Sequence, residues 1–213
     1  MNARFRRLTP AVLAGASLLA SVSCGDLVRQ SRSPSFLVID LLTAASGANA
    51  SAFGGTLESD VVTLVTRTVG GNQVQVPTIY EDFGQVQLRI LLKDQGGPGA
   101  TALPSNINII TVNRYHVAYR RSDGRNTPGV DVPYAFDGAF TATITTTPVQ
   151  LTFTLVRIAS KLEPPLKALG GGGGRLAIST IADVTIYGHD QAGNEVSQTG
   201  SISVNFADWG DPA

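Results

Sequence analysis

Beyond position 35, apolar and polar residues alternate with a period of two along most of the chain, the spacing of strands with one face in a core. Over 83–93, Val86, Leu88, Ile90 and Leu92 face one side and Gln85, Gln87 and Arg89 the other. Over 107–121, Tyr115, Val117 and Tyr119 oppose Arg114, His116 and Arg120. Two strands at 140–147 and 149–158 are separated by Thr146-Thr147-Pro148, the second carrying Leu151, Phe153 and Leu155 on one side. The last pair, 176–188 and 201–207, shows Ala182, Val184 and Ile186 against Ile202, Val204 and Phe206, and its spacing predicts adjacent antiparallel strands. A nearly continuous apolar run at 36–43 predicts a buried first strand with Leu37, Ile39 and Leu41 on one face.

The breaks have turn chemistry. Small residues at 44–55 predict a loop, and Gly70-Gly71-Asn72 between 61–68 and 73–76 predicts a hairpin whose second arm Pro77 ends or holds at an edge. Helix is expected only at 159–169, where Pro164-Pro165 limits it to a turn or two, before a flexible linker of five glycines, Gly170 to Gly174. Eight or nine strands without alternating helices predict an all-β fold of two packed antiparallel sheets. Composition agrees: 20 Thr, 20 Val and 12 Ile stand against four Glu and three Lys in 213 residues.

The final hairpin, Val184 to Asn194 followed by Gly200 to Phe206, resembles the last strand pair of bacterial immunoglobulin-like domains, where an Asp-x-x-Gly-Asn turn precedes the last strand. The resemblance implies an immunoglobulin-like β-sandwich over 35–210. The chain lacks the paired Cys and central Trp of antibody domains, since Cys24 precedes the fold and Trp209 follows its last strand.

The N-terminus has the order of an address. Arg4, Arg6 and Arg7 precede an apolar, small-residue stretch at 8–22 that is too short and mild for a membrane span. The following Leu19-Ala20-Ser21-Val22-Ser23-Cys24-Gly25 resembles the lipobox of bacterial lipoproteins, whose Cys becomes the lipidated first residue. Ser21 and Ser23 suit ordinary signal peptidase as well, so both routes cut before Cys24 and differ only in the lipid. Cys24 is the only thiol of the chain, which favours lipidation over export with a free, oxidisable cysteine. The resemblance implies a signal peptide over 1–23 and a lipidated N-terminus with a polar tether over 24–34. Gly25, in place of an Asp, implies an outer-membrane lipoprotein facing the periplasm or the surface.

The charge balance, 16 Lys+Arg against 16 Asp+Glu, offers no basic field for nucleic acid, and one Cys excludes an internal disulfide. No Gly-x-Ser-x-Gly motif occurs, and the candidate bases are His116 on an outward face and His189 at a turn. Glu58, Glu81, Glu163 and Glu195 read as solvated loop acids. Asp190, Asn194 and Glu195, with Asp208 or Asp211, offer oxygen ligands for calcium, but their spacing is not that of an EF-hand and a turn explains them better. Neither a cofactor nor a metal is expected.

The connection 120–137 is the most informative loop, since its Arg, Asp, Pro and aromatic residues suit recognition of a carboxylate, sugar or peptide. Arg121, Asp123, Arg125 and Tyr134 are its candidate binding residues. The alternative is structural: turns at Asp123-Gly124 and Pro128-Gly129, Arg/Asp pairs that hold the loop, and Tyr134 and Phe136 capping the sandwich. The expected function is non-catalytic: a structural or binding module held to a membrane by its lipid, with an envelope protein or glycan as partner. The rivals are a carbohydrate-binding accessory module, a pilus-like subunit that donates 36–43 to a neighbour, and a hydrolase without familiar motifs.

Overall fold

The computed structural model describes residues 32–97, 99–171 and 176–209; the expected signal peptide, Cys24 and most of the expected tether lie outside them. Two sheets form a sandwich. The first has the order β1-β5-β10, built from β1 (Ser35–Ala45), β5 (Asp82–Leu92) and β10 (Val149–Val156). The second has the order β2-β12-β11-β8-β9, built from β2 (Thr56–Asp60), β8 (Ile110–Arg120), β9 (Phe136–Ile144), β11 (Ala177–Asp190) and β12 (Glu195–Ala207). A hairpin of β3 (Thr63–Val69) and β4 (Asn72–Thr78) and the two-residue strands β6 (Gly96–Gly97) and β7 (Ala100–Thr101) lie outside both sheets.

The chain alternates between the two layers. The sequence-ordered strands β1, β5 and β10 share one sheet, while β8, β11 and β12 share the other with β9 on its outer edge. All pairings within the two sheets are antiparallel except β2 with β12, which is parallel from Thr56↔Ser203 to Asp60↔Ala207. Alternation sets the core: Val86, Leu88 and Ile90 from one sheet meet Val117, Val184, Ile186, Val204 and Phe206 from the other, all essentially inaccessible to water. The Tyr119 ring packs edge-on against Phe206 at 5.8 Å, and its hydroxyl donates to the Leu155 carbonyl across the layers.

Several expectations need correction. Leu41 is 53% exposed, because the β1–β5 register shifts between Ile39 and Leu41. The bulge turns Asp40 and Leu41 outward, where Asp40 accepts from Arg89 Nε at 2.8 Å, and brings Leu42 and then Ala44 to the core. Residues 56–60 form a strand the alternation did not reveal, since Leu57 is the single large apolar residue of Thr-Leu-Glu-Ser-Asp. Glu58 and Glu195 therefore lie on strands, not in loops.

The long connection is shorter than expected, because Phe136 is already buried in β9. Residues 107–109 fall in or beside a 3-10 turn, and β8 begins only at Ile110. The helical segment is a five-residue helix, α1 (Ile158–Leu162), followed after Pro164-Pro165 by a 3-10 turn, Leu166–Leu169. Of the five glycines only Gly170 and Gly171 are described, the Gly171 N–H donating to Asp208 Oδ2 at 2.6 Å. The hairpin tip is as predicted, with Gly70 and Gly71 both at positive φ, a conformation glycine adopts without steric cost.

Candidate functional site

Three polar arrangements stand out from the fold. The first is the loop 121–135, at the end of the sandwich where β8 runs out. Arg121 donates through Nε and Nη2 to Asp123, and Arg125 through Nε and Nη2 to Asp123 Oδ2, at 2.7–3.1 Å. The two guanidiniums hold the Asp123 carboxyl well below the usual carboxylate range. Asn126 accepts from the Arg121 N–H, Thr127 O accepts from Val130, Asp131 and Val132, and Val132 is buried. Tyr134 is 51% exposed and lies over Gly129, where a Cβ would overlap its ring. Three of the four candidate binding residues are thus gathered into one ion cluster, while Tyr134 belongs to the turn at Gly129. The same interactions supply the loop's internal framework.

The second is the turn at 190–194. The Asp190 side chain points inward, Oδ1 accepting the N–H groups of Ala192 and Asn194 at 2.8–2.9 Å and Oδ2 accepting Asn194 Nδ2 at 2.8 Å. Burial pushes this carboxyl up, but hydrogen bonds from Asn194, Ala192 and Ser33 outweigh it and hold it below its ordinary value. With Gly193 at positive φ, this explains the Asp-x-x-Gly-Asn pattern as turn chemistry. Its carboxylate oxygens face donors, and among the described residues no group of three or more His, Cys, Asp or Glu is placed to hold a metal ion.

The third was not anticipated from sequence. A recess of about 810 Å³ opens on the outer face of β8, β11 and β12, lined among others by Asn113, Arg114, Thr185, Tyr187, His189 and Glu195. Its origin is a bulge. Opposite Tyr187 and Gly188, β8 carries one residue more than β11, since Tyr187 pairs with Arg114 and Gly188 with Val112. Asn113 and Arg114 consequently both point outward, breaking the alternation that Val112 and Tyr115 otherwise keep. Gly188 is required there, because a Cβ would overlap the Thr111 carbonyl and the Val112 Cα. The Arg114 guanidinium lies 4.0 Å from the Tyr187 ring centroid and donates through Nη1 to Asp137 Oδ1 at 3.0 Å. His116 Nδ1 sits 3.2 Å from the same Asp137 oxygen, and His189 Nδ1 lies 3.1 Å from the Asp190 carbonyl.

Further along the same face, Arg120 Nε donates to Asp183 Oδ2 at 2.6 Å and Ser201 Oγ to Asp183 Oδ1 at 2.6 Å. Burial raises the Asp183 carboxyl, and these two donors overcome it and set it below the ordinary carboxylate value. Inside the sandwich the helix α1 delivers a buried cation. Lys161 Nζ donates to the Asp60 carbonyl at 2.7 Å and to both Asp82 oxygens at 2.9–3.0 Å, while Asp82 also accepts from Ser59 Oγ and the Gly47 N–H. Both side chains are at most 1% exposed. Every contact satisfies a partner, which makes this a brace between α1, β2 and β5.

Phe36, another exposed aromatic, lies under Lys93 at 4.9 Å. No protein-family model, no curated protein and no solved structure matches the chain.

Proposed function

We propose that the protein is an exported, lipid-anchored module of a bacterial cell envelope, immunoglobulin-like in fold and serving a structural or binding role without catalysis. The observation that carries this reading is Cys24, the only cysteine of the chain, directly after a basic start and a short apolar stretch. Among the described residues no helix is long and apolar enough to cross a membrane, so in this reading attachment rests on the lipid.

The entry point of the chain supports a tethered arrangement. Ser33 lies beside the Asp190 carboxylate, and Arg32 flanks Asn194 and Glu195, so the chain joins the domain at the β11–β12 turn. The antiparallel register puts Ile110 beside Asp190 and Arg120 beside Ile181, which places the loop 121–135 at the other end of β11. Nine residues of strand at ~3.3 Å each span roughly 30 Å. An anchor at Cys24 would then leave the loop pointing away from the membrane.

The strand-donating and hydrolase readings find less support. A strand-donating subunit would need an open groove in its own domain, whereas β1 pairs with β5 from Ser35↔Leu92 to Ala45↔Phe83. Among the described residues, the His116 imidazole contacts a carboxylate and the His189 imidazole a backbone carbonyl, neither of them a hydroxyl nucleophile. The test is metabolic labelling with a fatty-acid analogue in cells making the full chain. Wild type should be labelled and fractionate with membranes, and Cys24→Ser should lose both properties. Equal labelling of the two would overturn the lipoprotein reading.

A further inference from the structure

We infer that the recess over β8, β11 and β12 is a binding site for a carboxylate-bearing saccharide, with Arg114 as the group that receives the carboxylate. This inference rests on the binding role proposed above, though not on the lipid.

A recess of about 810 Å³ falls in the range of small-ligand sites. Its floor is β11, a central strand whose backbone donors and acceptors are consumed by ladders on both sides. β11 pairs with β12 from Ala177 to His189 and with β8 from Ile181 to Asp190. A peptide that recognises a sheet by adding a strand needs an unpaired edge, and the floor of the recess has none. Recognition there falls to side chains, and those presented include a guanidinium, an amide, hydroxyls and a phenol from Arg114, Asn113, Thr185, Ser197 and Tyr187, with His189 and Glu195 on the flank. That set matches a ligand rich in hydroxyl groups and carrying a negative charge.

Arg114 is preorganised for the charge. The Tyr187 ring holds one face of the guanidinium, Asp137 holds Nη1, and the Nε and Nη2 positions carry no hydrogen bond among the described residues. A planar fork fixed on two sides and open on a third suits a bidentate carboxylate, with little rotamer freedom left to lose on binding. The Arg–Asp ion pair Arg120–Asp183 on the same face differs, because Asp183 takes both Nε and Nη2. Glu195 on the opposite flank is an acid and would repel a carboxylate, so the carboxylate is assigned to Arg114, the one guanidinium among the lining residues. Tyr187 contributes by fixing Arg114, since the guanidinium covers the ring face a sugar would stack on.

The experiment is titration calorimetry of the purified protein with a galacturonate trimer, its methyl ester, galactotriose and tetraglutamate. A disaccharide of N-acetylglucosamine and N-acetylmuramic acid forms a second acidic arm that separates a cell-wall source from a uronate source. Binding of at least one acidic saccharide is expected, weakened at least about tenfold by esterification and by Arg114→Gln. Arg114→Lys should also weaken binding, because the charge remains and the fork is lost. Arg120→Gln removes a guanidinium from the same face outside the recess and should bind as wild type does, while Arg114→Lys keeps the result interpretable if Arg114→Gln is unstable. Equal affinity for acid and ester, equal affinity in the Arg114 variants, preference for tetraglutamate, or no saccharide binding would each overturn the inference. Cys24→Ser labelling is unaffected by any of these outcomes, so the two proposals fail separately.

Discussion

Replacing Lys161 by Met tests the claim that a buried ion pair braces the helix α1 to the sandwich. The substitution removes an ammonium that bonds the Asp60 carbonyl and both Asp82 oxygens, and leaves Asp82 inside with only the Ser59 hydroxyl and Gly47 N–H. A buried charge stripped of its partner costs about 3–5 kcal/mol, a large part of the 5–15 kcal/mol that usually separates folded from unfolded states. Asp82→Asn should fall in the same range, since Lys161 then faces only neutral oxygens. The combined variant Lys161→Met/Asp82→Asn removes both charges, so its loss should be smaller than the sum of the single losses by about 2 kcal/mol. Urea unfolding followed by circular dichroism reads each value. With a slope of about 2 kcal/mol per molar, each single variant should move the midpoint down by about 2 M. Single losses below about 1 kcal/mol, or strict additivity, would show that water reaches the pair and that it braces nothing.

Phe206→Ala should cost about 3–5 kcal/mol, because the ring is fully buried against Tyr119; a loss under 1 kcal/mol in the same urea assay would reverse the faces of β12. Leu42→Ala should cost about 2 kcal/mol and Leu41→Ala under about 0.5 kcal/mol, and the opposite order would remove the bulge in β1. Gly188→Ala should lose about 1–3 kcal/mol, since its Cβ meets the backbone of Thr111 and Val112 and the bulge must shift; a neutral result would deny that the bulge needs glycine. Asp190 and Asp183 both have folded values below the unfolded value of about 3.9, so their contribution is fully present above about pH 5 and is lost as pH falls through their folded values. Thermal midpoints should therefore fall more steeply below pH 4 in wild type than in Asp190→Asn, and parallel curves would contradict the assignment.

Alternation in the sequence determined which faces of β5, β8, β11 and β12 enter the core, because a period of two leaves one choice of face once the large apolar residues are placed. It also determined the β3–β4 hairpin through Gly70-Gly71 and the 190–194 turn through Asp190, since both depend on residues adjacent in the chain. What it left open is where that period slips. Asp40 and Asn113 are ordinary polar residues in ordinary strands, and only pairing with β5 and β11 makes each an inserted residue that turns its neighbour outward. Leu41 is exposed and the Arg114 recess is opened by the same mechanism, one extra residue against a partner strand. Residues 56–60 became a strand because β12 offered a parallel edge, a contact about 147 positions away that no local pattern encodes. Lys161 and Asp82 likewise look like surface charges in sequence. The tertiary fold alone decided that they meet in the interior, where each supplies the counter-charge that makes burial of the other tolerable.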